Sequence, residues 1–191
     1  PAGKNPGRLP KVFMGQKYIL NQGGIDIRKN LDNLIKAFAL VNIKHPDIKL
    51  VITGRNLRMK KGLDILVKKM NLQKQVVFVG YVDDGTFAAL VKSAVMICYP
   101  TLSEGFGFSI LEGFGAGVPV ISSNTSSIPE IASDAAILVN PESITEIKSA
   151  TEKVLSDPKL VQKMVLKGRE QYNKFSWEKT VNEYLDLYNH I

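Results

Sequence analysis

Short apolar runs of β-type residues alternate along this chain with longer stretches in which apolar residues recur at helical spacing. That alternation is the mark of a parallel sheet covered by helices on both faces. The candidate strands are YILN (18–21), KLVIT (49–53), VVFVG (76–80), AVMICYP (94–100), VPVIS (118–122) and AILV (136–139). Between the first two, Leu31, Leu34, Ile35, Phe38 and Val41 recur in NLDNLIKAFALVNIKH, which reads as a crossover helix with Asn30 as its N-cap and His45 at its end. Shorter helices are expected near 61–70, 84–93 and 109–116, and the chain from about 143 to 189 reads as helical, with breaks at Asp157-Pro158 and Phe175-Ser176. The fold class that follows is α/β, a Rossmann-like doubly wound parallel sheet of about six strands with a helical C-terminal part. Residues 1–14 read as a linker, 15–175 as the ligand-binding domain and 176–191 as a C-terminal helix. A doubly wound sheet binds ligands outside the carboxyl ends of its strands, so chemistry is sought in the loops that follow them.

With 191 residues, 45% of them hydrophobic and 23% charged, the chain can bury one substantial core. Its opening, PAGKNPGRLP, reads as linker and the whole as part of something longer. The single cysteine, Cys98, lies inside the apolar run VMICYP and reads as a buried free thiol, which fits a reducing, cytoplasmic setting. Two distant histidines and no second cysteine give no zinc pattern. No run approaches the roughly 20 apolar residues of a membrane span, and no signal peptide opens the chain. The net charge of +7 favours an anionic partner, although RMKK (58–61) and Lys68 with Lys69 read equally as solvated faces. These clusters lack interleaved aromatics, so no nucleic-acid partner is expected.

The most informative stretch is YPTLSEGFGFSILEGFGAGVPVISSNTSSIPE, residues 99–130. It leaves a strand, passes a glycine-rich turn, enters a short helix near Ser109 and returns to a strand. Gly105 and Gly107 allow peptide N–H groups around Phe106 to Ile110 to converge at a helix N-terminus, where orphan N–H groups and the helix dipole favour an anion such as a diphosphate. Glu104 and Glu112, spaced E-x7-E, border that anion site. Carboxylates beside phosphate are costly, so their use would be to accept hydrogen bonds from sugar or ribose hydroxyls. Alternatively, Glu104 is a solvated loop acid and Glu112 merely suits the first turns of a helix.

The segment EGFGFSILEGFGAGVPVISSNTSSIPEIASDAAILVNP resembles the donor-site segment of the GT-B retaining glycosyltransferases, a family with many bacterial mannosyltransferases and the sucrose and glycogen synthases. The resemblance extends to GGIDIRKNLDNLIKAF (23–38), VVFVGYVDD (76–84) and FSWEKT (175–180). It implies a GT-B C-terminal, nucleotide-sugar-binding domain whose N-terminal acceptor domain is not in this chain. Glu104 would then lie by the donor sugar, Glu112 on the ribose, the amides of Gly105, Phe106 and Gly107 by the sugar, and those near Ser109, Ile110 and Leu111 by the diphosphate, with Phe108 also in the donor-binding set. Lys29 matches the family lysine on the diphosphate; Lys29 and Glu104 are the candidate catalytic residues. Many relatives carry arginine where this chain has Gly24, so Arg28 or Arg55 is the candidate second cation. Val82, Asp83 and Asp84 fall in the loop where the family places the base. Asp84 could accept both N–H donors of guanine's Watson–Crick edge, which favours a GDP-sugar, though either aspartate could instead cap a helix. Lys29 and Glu112 are both expected to face a solvent-open cleft. Ser176 reads as an N-cap with Lys179 at N3, hence no capping box, and Trp177 as packing.

No D-x-D motif follows a strand, so metal-independent chemistry is expected, with no cofactor beyond the nucleotide sugar. The implied partners are that donor, the N-terminal domain and a saccharide or lipid-linked acceptor. The implied location is cytoplasmic, with peripheral association of the full-length enzyme at the inner membrane face left open. A dehydrogenase fragment would need G-x-G-x-x-G after the first strand, where NQGGIDIRKN stands instead. A GT-B nucleotide-sugar epimerase or a non-catalytic binding module remains the nearer alternative.

Overall fold

A computed structural model of the chain describes residues 9–55 and 57–190, with the side chains of Val12, Leu57, Arg58 and Met59 also outside the description. Most of the segment read as linker, and part of the RMKK cluster, therefore lie outside the described residues. Six strands, β1 (Tyr18–Asn21), β2 (Lys49–Thr53), β3 (Val76–Gly80), β4 (Met96–Tyr99), β5 (Val120–Ser123) and β6 (Ile137–Val139), form one sheet in the order β3-β2-β1-β4-β5-β6. Every pairing is parallel. The helices are α1 (Leu31–Lys44), α2 (Leu57–Lys69), α3 (Asp84–Ser93), α4 (Phe108–Ala116), α5 (Ile128–Ala132), α6 (Ile144–Ser156), α7 (Pro158–Tyr172) and α8 (Trp177–Asn189). All six expected strands and the crossover helix are present, with the last three strands trimmed by one or two residues at their starts. The five-residue helix α5, started by Pro129 in its first turn, was not anticipated.

Both faces of the sheet are apolar because successive strand residues go to opposite sides. Ile19, Leu50, Ile52, Met96 and Cys98 pack with α1, α2 and α6, while Tyr18, Leu20, Val51, Ile97 and Tyr99 pack with α3, α4 and α5. Strands buried on both sides read as continuous apolar runs, which explains their clarity in the sequence. Cys98 is fully buried and unpaired, and burial pushes its thiol up to about 12, so it is inert core. The core begins ahead of Gly15, because Phe13 in a 3-10 turn over Lys11–Phe13 is buried against the Tyr18 ring, 5.6 Å between centroids.

Local chemistry sets the helix starts. Asp83 caps α3, Ser143 caps α6, Asp157 caps α7 and Ser176 caps α8, each accepting from the backbone N–H three residues on. Asn30 is a correction. It occupies the position before α1 in a left-handed conformation (φ 55), but its side chain caps nothing. Its amide instead donates to the carbonyls of Pro100 (2.9 Å) and Pro141 (2.6 Å), tying the start of α1 to the ends of two strands.

The ends of β1 and β2 touch backbone to backbone. Gly24 donates to Thr53 O (3.1 Å), Ile25 donates to Arg55 O (3.3 Å), and Gly54 lies at φ +115 against Gly24. A Cβ at Gly54 would fall far inside van der Waals contact with the Gly24 backbone. Gly54→Ala is therefore expected to lower stability by roughly 2 to 4 kcal/mol, from overpacking plus positive-φ strain. Gly62→Ala, in α2 where a Cβ meets open space, is expected to raise it by about 0.5 to 1 kcal/mol. Urea denaturation of both variants checks the pair; equal effects would refute the close-approach argument.

Candidate functional site

The sheet order reverses between β1 and β4, so the loops leaving those two strands diverge to opposite faces and open a crevice at their carboxyl ends. The residues singled out from the sequence come mainly from these two loops. The Arg28 carbonyl joins them, accepting from Leu102 N–H (2.7 Å) and from Thr101 Oγ1 (2.7 Å).

Lys29 ends a 3-10 turn, Ile27–Lys29, after β1 and is 8% exposed, which corrects the expectation that it faces open solvent. Its ammonium bonds the Glu104 Oε1 carboxylate oxygen (2.6 Å) and the Tyr99 hydroxyl. Glu104 is thus no solvated loop acid. Its Oε1 also accepts from Tyr99 Oη (2.6 Å), so two donors converge on one oxygen, while Thr101 Oγ1 lies 3.1 Å away with its proton directed to the Arg28 carbonyl. Burial works against the charged form, but the bonds from Lys29 and Tyr99 outweigh it and hold Glu104 below the usual carboxylate range. Burial first, then the neighbouring Glu104 charge, pushes the Tyr99 phenol well up, so it acts as a neutral group.

The backbone around Glu104 is fixed from the loop before α5. Glu104 N–H donates to Ser126 Oγ (3.1 Å), and Ser127 Oγ stands 3.0 Å from the carbonyls of both Glu104 and Phe106, which share its single proton. In the turn itself, Gly107 needs to be glycine, with φ +106, but Gly105 does not adopt a left-handed conformation and simply leaves open space. Helix α4 starts at Phe108, one residue before the position read from sequence, so the N–H groups of Phe108 and Ser109 lack intrahelical partners. The Ile110 amide is committed to Gly107 O (2.9 Å), which removes it from the candidate anion donors, and the Ile110 and Leu111 side chains are core.

Glu112, on the second turn of α4, stays outside the Lys29 cluster. Its Oε2 accepts from Gln22 Nε2 (2.6 Å), which also donates to Ser109 O (3.1 Å). Glu112 keeps an exposed side toward solvent, while apolar neighbours on its other side raise its carboxyl above the usual range. Gln22 is buried, and its own carbonyl oxygen has no partner among the described residues.

The candidate second cations are both engaged elsewhere. Arg28 pairs with Asp26 (3.1 Å) on the surface, and Arg55 stacks over the Tyr81 ring, 4.5 Å from its centroid. Gly24 sits at φ +90, and a Cβ there would lie 3.1 Å from Arg55 O, so the loop favours glycine where the resemblance led one to look for arginine. Asp83 is the cap of α3, bonded by Thr86, which leaves Asp84 exposed in the first turn and Val82 packed at the core's edge. Among the described residues no group of three or more His, Cys, Asp or Glu could hold a metal ion, and no helix is long and apolar enough to cross a membrane.

Trp177, read as packing, is a further correction: it is 75% exposed and stacks only on Phe108, at 6.4 Å and 26°. Phe106, Phe108, Leu111, Tyr172, Phe175 and Trp177 line an apolar cleft of about 590 Å³ beside Glu112. Sequence reasoning missed Gln22, Tyr99, Ser126 and Ser127. Two signals were available: the amides Asn21 and Gln22 at the end of an apolar strand, and the Ser/Thr cluster NTSS ahead of Pro129.

Residues 10–171 match the family described as Glycosyl transferases group 1. The chain is 30% identical over 177 residues to the O-antigen chain mannosyltransferase B of Escherichia coli, covering 91% of this chain and 46% of that relative. Among solved structures it is similar to the sucrose-phosphate synthase of Thermosynechococcus elongatus, with a TM-score of 0.82 and 26% identity over 92% of this chain and 45% of that one. It is also similar to the C-terminal domain of a glycosyl transferase group 1 family protein from Francisella tularensis, with a TM-score of 0.74 and 29% identity over 83% and 86% of the two chains. The chain thus spans less than half the length of the mannosyltransferase and the synthase.

The Lys29–Glu104 pair, with side chains 10% and 14% exposed, predicts a pH-dependent stability. Lys29→Met leaves Glu104 buried without its cation and is expected to cost about 3 kcal/mol at pH 7. Because the folded-state pKa of Glu104 is lowered, the pair's contribution is present above the ordinary carboxylate range and lost as pH falls through the depressed value. The gap between parent and variant should therefore narrow toward low pH in denaturation experiments. A gap that is constant or widens on acidification would contradict this reading of the pair.

Proposed function

The chain belongs to the group 1 glycosyl transferases, and from that premise we propose that it is the donor-binding domain of a retaining enzyme that moves a sugar from a nucleotide sugar to a saccharide or lipid-linked acceptor. The observation that carries this reading is the meeting, at the reversal point of the sheet, of a buried lysine, two carboxylates and a glycine turn that opens a helix. That set matches the chemical demands of the reaction. When the bond between the sugar's anomeric carbon and the diphosphate breaks, the electron pair leaves on a phosphate oxygen. A fixed ammonium and unpaired N–H groups at a helix start stabilise that growing charge without reorganisation. Glu104 has two donors on Oε1, Lys29 and Tyr99, which leaves Oε2 to accept from hydroxyls of the sugar. Glu112, oriented by Gln22, is the acceptor for the ribose hydroxyls.

The donor is proposed to be a guanosine diphosphate sugar, with mannose as the sugar, bound without a metal ion. Support comes from Asp84, which Asp83's capping of α3 leaves exposed in the base loop, and from the name of the mannosyltransferase relative. The acceptor half is proposed to be a separate domain of a longer protein. Helix α8 has no buried residue, and Trp177, Val181, Tyr184 and Tyr188 form an uncovered apolar stripe beside the cleft. A domain facing that stripe would complete the enzyme at the membrane's inner face or in the cytoplasm.

Calorimetry on this chain tests the reading. Guanosine diphosphate should bind more tightly than uridine or adenosine diphosphate, with no loss in chelator. Glu112→Ala should weaken binding by about 10- to 150-fold, the equivalent of roughly 1.5 to 3 kcal/mol for a hydrogen bond to a charged group. A preference for uridine diphosphate would end the guanine claim, loss in chelator the metal claim, and unchanged affinity in Glu112→Ala the ribose assignment. Sugar transfer by this chain alone would contradict the need for a second domain.

A further inference from the structure

We infer that Tyr99 is a positioning residue of the donor site, setting where the Lys29 ammonium and the Glu104 carboxylate stand and so how strongly the site grips a second phosphate. The inference rests on the donor-site reading above. Tyr99 ends β4 and is 1% exposed, yet its hydroxyl is engaged on both sides. It accepts from Lys29 Nζ and donates to Glu104 Oε1, so the three groups form a directed chain from ammonium to phenol to carboxylate. The ammonium also lies 5.0 Å from the centre of the Tyr99 ring. On the far side, Gly23 gives it room: a Cβ there would come within 3.2 Å of Lys29 Cε and Nζ and within 3.3 Å of the Tyr99 hydroxyl.

A bare lysine–carboxylate pair in a low-dielectric pocket tends to close face to face, with both carboxylate oxygens sharing the ammonium, and its charges then largely cancel for any third party. The phenol prevents that closure. It takes one ammonium proton itself and holds Glu104 by Oε1, the same oxygen that receives Lys29. One ammonium proton and Oε2 are left without acceptor or donor among the described residues. The cation is thereby available to an anion and the carboxylate to a hydroxyl. Burial keeps the phenol neutral, so it orders both ions without adding a charge.

The alternative is that Tyr99 merely fills space on the α3–α4–α5 side of the sheet, a role phenylalanine would serve equally. The experiment compares the parent chain with Tyr99→Phe, Lys29→Met and the double variant, measuring by calorimetry the affinities for guanosine di- and monophosphate and for uridine di- and monophosphate. The parent should bind the diphosphate about 10-fold or more tightly than the monophosphate, the range for one hydrogen bond to a charged group. Tyr99→Phe should lose most of that ratio while holding monophosphate like the parent, and the double variant should show the same ratio as Lys29→Met alone, because the phenol acts through the lysine. A preserved ratio in Tyr99→Phe, or additive losses in the double variant, would overturn the inference while leaving the donor site standing. If the parent binds none of the four nucleotides, the donor-site reading itself falls and this inference with it. Lys29→Met is destabilised by loss of its ion pair, so thermal midpoints are recorded beside the affinities. Tyr99→Phe, which keeps the ring in place, decides the question if Lys29→Met is unfolded.

Discussion

A parallel sheet covered on both faces has one place where polar groups can gather without breaking the core, and the reversal of strand order between β1 and β4 fixes where it lies. Crossover connections on one side of that point run to one face, and those on the other side to the opposite face. The two loops that leave there are forced apart, and their ends remain uncovered. Everything chemically notable in this chain hangs on that gap: Lys29 reaches it from the loop after β1, Tyr99 and Glu104 from the end of β4, and Glu112 from the helix that follows. The two loops are tied to each other by Leu102 N–H and Thr101 Oγ1 donating to the Arg28 carbonyl and by the Asn30 side-chain amide donating to the Pro100 carbonyl.

Placing charge there has an energetic consequence. A lysine and a glutamate this enclosed are net stabilising only when each finds several partners, and breaking such a pair costs far more than forming it contributes. The chain meets that demand with a neutral donor, Tyr99, rather than with further ions. Tyr99 and Lys29 use the same carboxylate oxygen. Rigidity is obtained while part of each ion's bonding capacity stays unspent, which is the condition for a site that binds a ligand rather than itself. Glu112 shows the opposite balance, a carboxylate with one neutral partner and a raised proton affinity, suited to accepting hydroxyls rather than to countering a charge.

The apolar cleft and the bare stripe of α8 show that this sheet does not complete its own surface. Contiguous exposed aromatics on a helix without a buried residue form the face on which the proposed acceptor domain would sit.

The sequence by itself determined the strands, the crossover helix and the C-terminal helices, because fully buried strands and one-sided helices impose periods of two and about 3.6 that are local properties of the chain. It also set Glu104, the glycine turn and Glu112 within nine residues of one another, although the structure leaves Glu112 outside the Lys29–Glu104 cluster. Only the tertiary structure decided what each does. Lys29 is 75 positions from Glu104 and Gln22 is 90 from Glu112, separations across which no spacing rule operates. Tyr99 and the serines before α5 lie nearer in sequence to Glu104, 5 and 22 to 23 positions away, but their residue types are unremarkable until the fold sets the phenol against its carboxylate and the serines against its backbone. Asn30 and Trp177 were misread for a related reason. Local rules assign an asparagine before a helix to capping and a tryptophan to packing, but the free energy of two buried carbonyls and of an uncovered face is set by neighbours the local sequence does not contain.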